Sequence, residues 1–183
     1  MNVKELLAQI EPWRDDRDGG AMKSLELIQH LLGYTDRPFE RGQYIPGHIT
    51  ATALILNEQS DSVLLVHHKR LDRWLLPGGH VESDDRNIFA AASREAVEET
   101  SVELTRGFEP YIAGFDVHGI PGNGIEPYHL HHDILIGLSA AGESIAVSEE
   151  SRAVIWCPLV DLPRYNVPRN ILIRLEAAIL GSR

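Results

Sequence analysis

The chain has 183 residues, 43% of them hydrophobic and 24% charged, which is enough for one domain with a real core and is ordinary for a globular protein. The formal net charge is -10 and the pI about 5.3. That balance argues against a general nucleic-acid or anionic-membrane surface, so a phosphate ligand would need a metal ion or a local basic group.

The first residues carry acidic groups throughout and lack a long apolar core, so they read neither as a signal peptide nor as an arginine-rich transit peptide. No run approaches the length of a membrane span. A short helix is expected over 3–10, with Leu6, Leu7 and Ile10 apolar. A second is expected over 22–32, with Leu25, Ile28 and Leu32 on one stripe and Gly33 as its stop. Strands are expected over 48–56 and 62–68, joined as a hairpin through the turn at 57–61. Lys69, Arg70 and Arg73 make a basic loop that could steer a phosphate, and 74–76 is a short extended piece.

The stretch from Leu76 to Val102 organises the rest. The Gly78–Gly79 pair leads into a loop, as expected where the backbone turns tightly or approaches a ligand. A helix over roughly 87–100 follows. Glu95, Glu98 and Glu99 sit at i, i+3 and i+4 and share one face, where like charges cost a helix roughly 0.2–0.5 kcal/mol per pair. A divalent cation is the natural offset, since Mg²⁺ takes a few carboxylates plus substrate phosphates. Ile88, Ala91, Ala92 and Ala96 form an apolar, mostly small face suited to close packing on a sheet. Arg94 can pair with Glu98 four positions on and hold its rotamer. His80 follows the glycine pair, where it could touch phosphate or a carboxylate, and Glu82 reads as a loop-surface carboxylate or a ligand to a second metal ion.

Beyond the helix, 102–117 contains extended segments, 118–127 is a Gly/Pro-rich loop and 128–138 is a strong strand. On that strand His129 and His131 face one way and His132 the other. Two same-face histidines fall short of the three or four ligands that Zn²⁺ takes, so packing or polar contacts in a cleft are the expected role. An acidic loop at 148–151 precedes a strand at 153–157. The single cysteine, Cys157, fits a small buried apolar residue in a reducing compartment, and a cytoplasmic protein is expected. Asn166 and Pro168 can open a final helix bearing Ile171, Leu172, Leu175, Ala178 and Ile179. Pattern alone gives a single α/β or α+β domain.

The segment resembles the Nudix box, G-x5-E-x7-R-E-U-x-E-E-x-G-U, where U is bulky and aliphatic. Gly79, the run Arg94-Glu95-Ala96-Val97-Glu98-Glu99 and Val102 match it. Three positions depart: the loop is one residue longer, Arg86 stands where the box has Glu, and Ser101 where it has Gly. The resemblance implies a Nudix α/β/α sandwich with a mixed β-sheet over 46–183, preceded by a helical extension over 1–45. It implies a Mg²⁺- or Mn²⁺-dependent pyrophosphohydrolase cleaving a nucleoside diphosphate linked to another moiety. Glu95, Glu98 and Glu99 would then be metal ligands and Arg94 an orienting group. Gly78, Gly79, His80 and Arg70 would meet the substrate. The catalytic base moves in this family between a box glutamate, here Glu95, and a carboxylate on a later loop, here Glu150, six residues before Trp156. The implied partner is a small nucleotide-type molecule, with no extended nucleic acid and no membrane, and a homodimer is an assembly common among members. Two competing readings are a Nudix-fold binding or regulatory module with little turnover and a Zn²⁺ hydrolase built on the histidines.

Overall fold

The computed structural model describes residues 1–13, 19–167, 171–173 and 175. Its elements are α1 (Val3–Ile10), α2 (Gly19–Tyr34), β1 (His48–Leu56), β2 (Ser62–His68), β3 (Arg73–Leu75), β4 (Gly78–His80), α3 (Ile88–Thr100), β5 (Tyr111–Ile120), β6 (His129–Ser139), β7 (Ser151–Pro158) and a 3-10 segment, Leu159–Tyr165.

All seven strands belong to one mixed sheet. Its spine is the parallel pair β1 and β6, in register from His48 opposite His131 to Leu56 opposite Ser139. β5 lies antiparallel on the far side of β6. β2 pairs antiparallel with β3 and β7. The short β4 lies against the start of β1, with Thr50 opposite His80 and Thr52 opposite Gly78.

The expected β1–β2 hairpin is reduced to its base. The strands pair at Leu56 and Val63, where Asn57 Oδ1 accepts from the N–H groups of Asp61 (3.0 Å) and Ser62 (3.1 Å). Past that point β1 bonds to β4 and β6, and β2 to β3 and β7, so neither strand needs the other.

β1 is buried on both faces, which explains its nearly unbroken apolar sequence. Ile49, Ala51, Ala53 and Ile55 share a cluster with Ile88, Ala91, Ala92 and Ala96 of α3 and Leu25, Ile28 and Leu31 of α2. The alanines on both sides let α3 approach the sheet closely, as the small apolar face of its sequence implied. Leu54 and Leu56 point the other way, into a cluster with Val63, Leu65, Leu135 and Leu162. Cys157 belongs to this second cluster, fully buried, and burial pushes its thiol up.

α1 and α2 pack into the first cluster through Leu6, Ile10 and the α2 stripe. Trp13, just after α1, is fastened to β5: its Nε1–H donates to the Ile112 carbonyl at 3.2 Å and its ring meets Phe115 edge-on at 5.0 Å. α2 does not stop at Gly33. It runs through it to Tyr34 and closes with Thr35 N–H donating to the Leu31 carbonyl at 3.2 Å. At the other end Asn166 is left-handed (φ 50°) and terminates the 3-10 segment. The expected helix start at Pro168 and the apolar residues Ala178 and Ile179 lie outside the described residues, while 171–173 and 175 are helical. Among the described residues no helix is long and apolar enough to cross a membrane.

Candidate active site

α3 is fixed at both ends by its own sequence. Asn87 caps it, its Oδ1 accepting from Ala90 N–H at 2.9 Å. Ser101 ends it in the left-handed conformation at φ 54°, the region in which glycine meets no Cβ penalty. Between them the helix presents its three carboxylates at graded depth. The Glu98 side chain is 57% exposed and Glu95 14%, and Glu99 is 7% exposed.

Arg94 is the hub of the site. Its Nη1 donates to Glu95 Oε1 and Glu98 Oε2, both at 2.9 Å. Its Nη2 donates to Asp85 Oδ2 at 2.9 Å and to the His80 carbonyl at 2.8 Å, and its Nε to Asp85 Oδ1 at 3.2 Å. The expected Glu98 pair is present, but it is the more exposed part of a larger network. The bidentate bond to Asp85 fixes the plane of the guanidinium, and these bonds, led by Asp85, raise its pKa.

Asp85 was not singled out by sequence reasoning. It is buried, accepts from Glu82 N–H at 2.8 Å and donates its own N–H to the Glu82 carbonyl at 3.1 Å. Burial pushes its carboxyl up, but the Arg94 bonds and charge hold it below the usual range. Arg86, where the box has Glu, is exposed. The carboxylate that reaches back to the helix arginine therefore comes from one residue earlier, out of a loop one residue longer. The consecutive Asp84 and Asp85 were the available signal.

The glycine pair is explained by crowding. A Cβ on Gly79 would lie 2.7 Å from Glu95 Oε1, and one on Gly78 would lie 2.6 Å from the Ala51 carbonyl oxygen. Gly78 thus lets β4 lie against β1, and Gly79 leaves room for the Glu95 carboxylate. The Gly78 backbone opposes the rise in the Glu99 carboxyl.

Burial raises Glu95, with Arg94 opposing and Glu98 and Glu150 adding to the rise. Glu99 is pushed up to about 8, first by burial and then by Glu95. Its Oε2 has no hydrogen-bond partner among the described residues. Buried carboxylates are normally paired or bound to metal, so an unpartnered oxygen beside two more carboxylates fits a cation held by Glu95, Glu98 and Glu99. An oxygen-rich set of this kind suits a hard ion such as Mg²⁺ or Mn²⁺.

Glu150 sits in the exposed turn before β7. Its carbonyl accepts from Lys69 N–H at 3.0 Å, and the Lys69 ammonium donates to the Glu149 carbonyl. Those bonds join the two loops, and the Glu150 charge is felt at both Glu95 and Glu99. Arg70 lies next to Lys69, exposed, with its N–H donating to His68 Nδ1 at 3.1 Å. The structure does not put His80 with the carboxylates. Its carbonyl serves Arg94, but its ring lies 5.0 Å from that of His48 and 5.3 Å from that of His131.

Three comparisons bear on this arrangement. No curated protein matches the sequence. Among solved structures, a hydrolase of the NUDIX family from Clostridium perfringens is 25% identical, with 72% of this chain and 97% of that one covered and a TM-score of 0.52. The NUDIX domain of Shewanella oneidensis NrtR, complexed with ADP ribose, is 17% identical over 82% of this chain and 97% of that one, at a TM-score of 0.57. A C. elegans Ap4A hydrolase is 20% identical over 74% and 98%, at a TM-score of 0.52. The sequence model of the NUDIX domain matches residues 46–175. With the box residues gathered on α3 and β4 inside that span, the chain belongs to the Nudix family of hydrolases, which act on phosphoanhydride bonds.

Proposed function

We propose that the protein is a Mg²⁺- or Mn²⁺-dependent pyrophosphohydrolase. It would cleave a nucleoside diphosphate linked to another moiety, adding water across the pyrophosphate to give a nucleoside monophosphate and the phosphorylated moiety. The observation that carries this reading is the buried, unpartnered Oε2 of Glu99 beside Glu95. A binding module without turnover has no need of that acidic cluster.

Glu95, Glu98 and Glu99 are the residues that would hold the ion. When bound, the ion neutralises charge on the bridging and leaving oxygens. Arg94 keeps Glu95 and Glu98 aimed while Asp85 keeps Arg94 in place. Glu150 is the proposed base that takes a proton from the attacking water, because it is exposed, on a loop beside the site, and electrostatically linked to Glu95. Glu95 is the second catalytic group in this scheme. Gly78, Gly79 and the Arg70 loop form the proposed substrate margin, and His80 contributes its backbone carbonyl, held by Arg94, rather than its ring. Residues 1–45 serve as an extension that completes the core, with 46–183 as the hydrolase domain, and a cytoplasmic setting belongs to the same proposal.

Phosphate release across a panel of nucleoside diphosphate derivatives tests this, with Mg²⁺ or Mn²⁺ and Glu99→Gln in parallel. ADP ribose, bound by the Shewanella domain of the same fold, is the compound to try first. Turnover that disappears in Glu99→Gln establishes the hydrolase. Ligand binding without turnover on any compound replaces it with a binding module.

A further inference from the structure

Five of the nine histidines gather on the sheet face opposite α3. The strand register explains how. His48 of β1 is opposite His131 of β6, and His118 of β5 is opposite His131 on its other side. His80 of β4 is opposite Thr50, two residues along β1 from His48. Because a Cβ on Gly79 would point at Glu95, the alternation of β4 sends His80 the other way. Ring centroids in the group lie 5.0 to 5.7 Å apart.

Within it, His48, His80 and His131 each offer a ring nitrogen within 4.8 Å of the other two. His48 is fully buried, and its Nδ1 lies 3.2 Å from the Gln43 carbonyl. The proton therefore belongs on Nδ1, where it can be donated, and Nε2 carries the lone pair. That Nε2 is buried with no partner among the described residues. A carbonyl that fixes the tautomer of one imidazole nitrogen so that the other can coordinate is the usual support of a metal-ligating histidine.

We propose that His48, His80 and His131 bind a first-row transition-metal ion of the Zn²⁺ class, at a site separate from the carboxylates of α3. Neutral imidazoles suit Zn²⁺ and its neighbours and not Mg²⁺. Two imidazole nitrogens on one Zn²⁺ lie about 3.3 Å apart, given metal distances of about 2.0 Å. His80 and His131 are half-buried, so small side-chain rotations close the gap. Three protein ligands leave the fourth tetrahedral position to water. The pair of same-face histidines on β6 fell short of a site in the sequence because the other two ligands come from β1 and β4, far away in the chain.

The test is titration of chelator-treated protein with Co²⁺, followed by its visible absorption bands, which are intense when the ion is tetrahedral. About one ion per chain should bind with tetrahedral bands, displaced by Zn²⁺ and not by excess Mg²⁺. His131→Gln and His80→Gln, each verified as folded by circular dichroism, should weaken Co²⁺ binding at least about 10-fold. Glu99→Gln should bind it as the unaltered protein does. Binding unchanged in both histidine variants, binding lost only in Glu99→Gln, or no tetrahedral bands at any Co²⁺ concentration would each overturn the site. None of these readouts depends on hydrolysis.

Discussion

Two clusters of titratable side chains sit on opposite sides of β4, and burial drives both toward neutrality by opposite routes. On the α3 side it raises carboxylates, taking Glu99 to about 8. On the other side it lowers imidazoles, with His80 at about 4 and His131 at about 2, each ring further depressed by its neighbours. The carboxylates have a permanent counter-ion in Arg94. His118, at the edge of the imidazole group, is instead raised by its 2.9 Å bond to Asp116. A hard cation therefore suits one side, and an ion that accepts neutral nitrogen donors suits the other.

The largest expected effect separates the clusters by function. Glu99→Gln should lower Mg²⁺-dependent turnover on the order of 10²–10³-fold, the scale for losing one preorganised charge-stabilising group, while the fold persists. Kinetics alongside circular dichroism would check this, and unchanged turnover would remove α3 from the chemistry. Next is the hub. Arg94→Ala should destabilise the protein by about 3 kcal/mol, because it strands buried Asp85 and half-buried Glu95, and Arg94→Lys should recover little of it, since an ammonium cannot replace the bidentate fork. Urea unfolding of both variants measures the difference.

The glycines sharpen the contrast. Gly78→Ala forces a Cβ against the β1 backbone and should appear chiefly as a lower melting temperature. Gly79→Ala pushes on the Glu95 carboxylate and should appear chiefly as lost turnover. Equal effects on both readouts in the two variants would contradict the assignment.

The pH dependence should have two limbs of opposite sign. A folded-state pKa of about 8 against an ordinary 4.5 means that the Glu99 contribution is complete below 4.5 and is lost as pH rises through 8. Metal-free protein should thus weaken on the alkaline side, and Mg²⁺ should stabilise it more there than in acid. His80, depressed from 6.5 to about 4, contributes above 6.5 and is lost as pH falls through 4. Denaturation midpoints in chelator across this range would show both limbs, and Glu99→Gln should flatten only the alkaline one. The smallest effect is at Ser101, where glycine should relieve the left-handed backbone and add about 1 kcal/mol without changing turnover.

What the sequence made legible was local. The three glutamates followed from helix spacing, and the burial of Ile88, Ala91, Ala92 and Ala96 from the same periodicity. Asp85 escaped because a loop one residue longer than the motif shifts which side chain turns back to Arg94, and loop conformation has no period to read. His48 escaped, and His80 was read toward phosphate, for a different reason: the group forms only through a parallel pairing between His48 and His131, 83 positions apart, and the antiparallel seat of β4 on β1. Gly33 misled because glycine is a common terminator that a helix can still pass through when its carbonyls find partners, as Leu31 does with Thr35.

β4 is three residues long, yet it touches both clusters. Gly79 leaves space for Glu95, the next residue places its imidazole on the far side, and the carbonyl of that residue is gripped by Arg94. One three-residue strand thus serves both faces of the sheet, so a substitution anywhere in Gly78–His80 reaches two groups of side chains that share no atom.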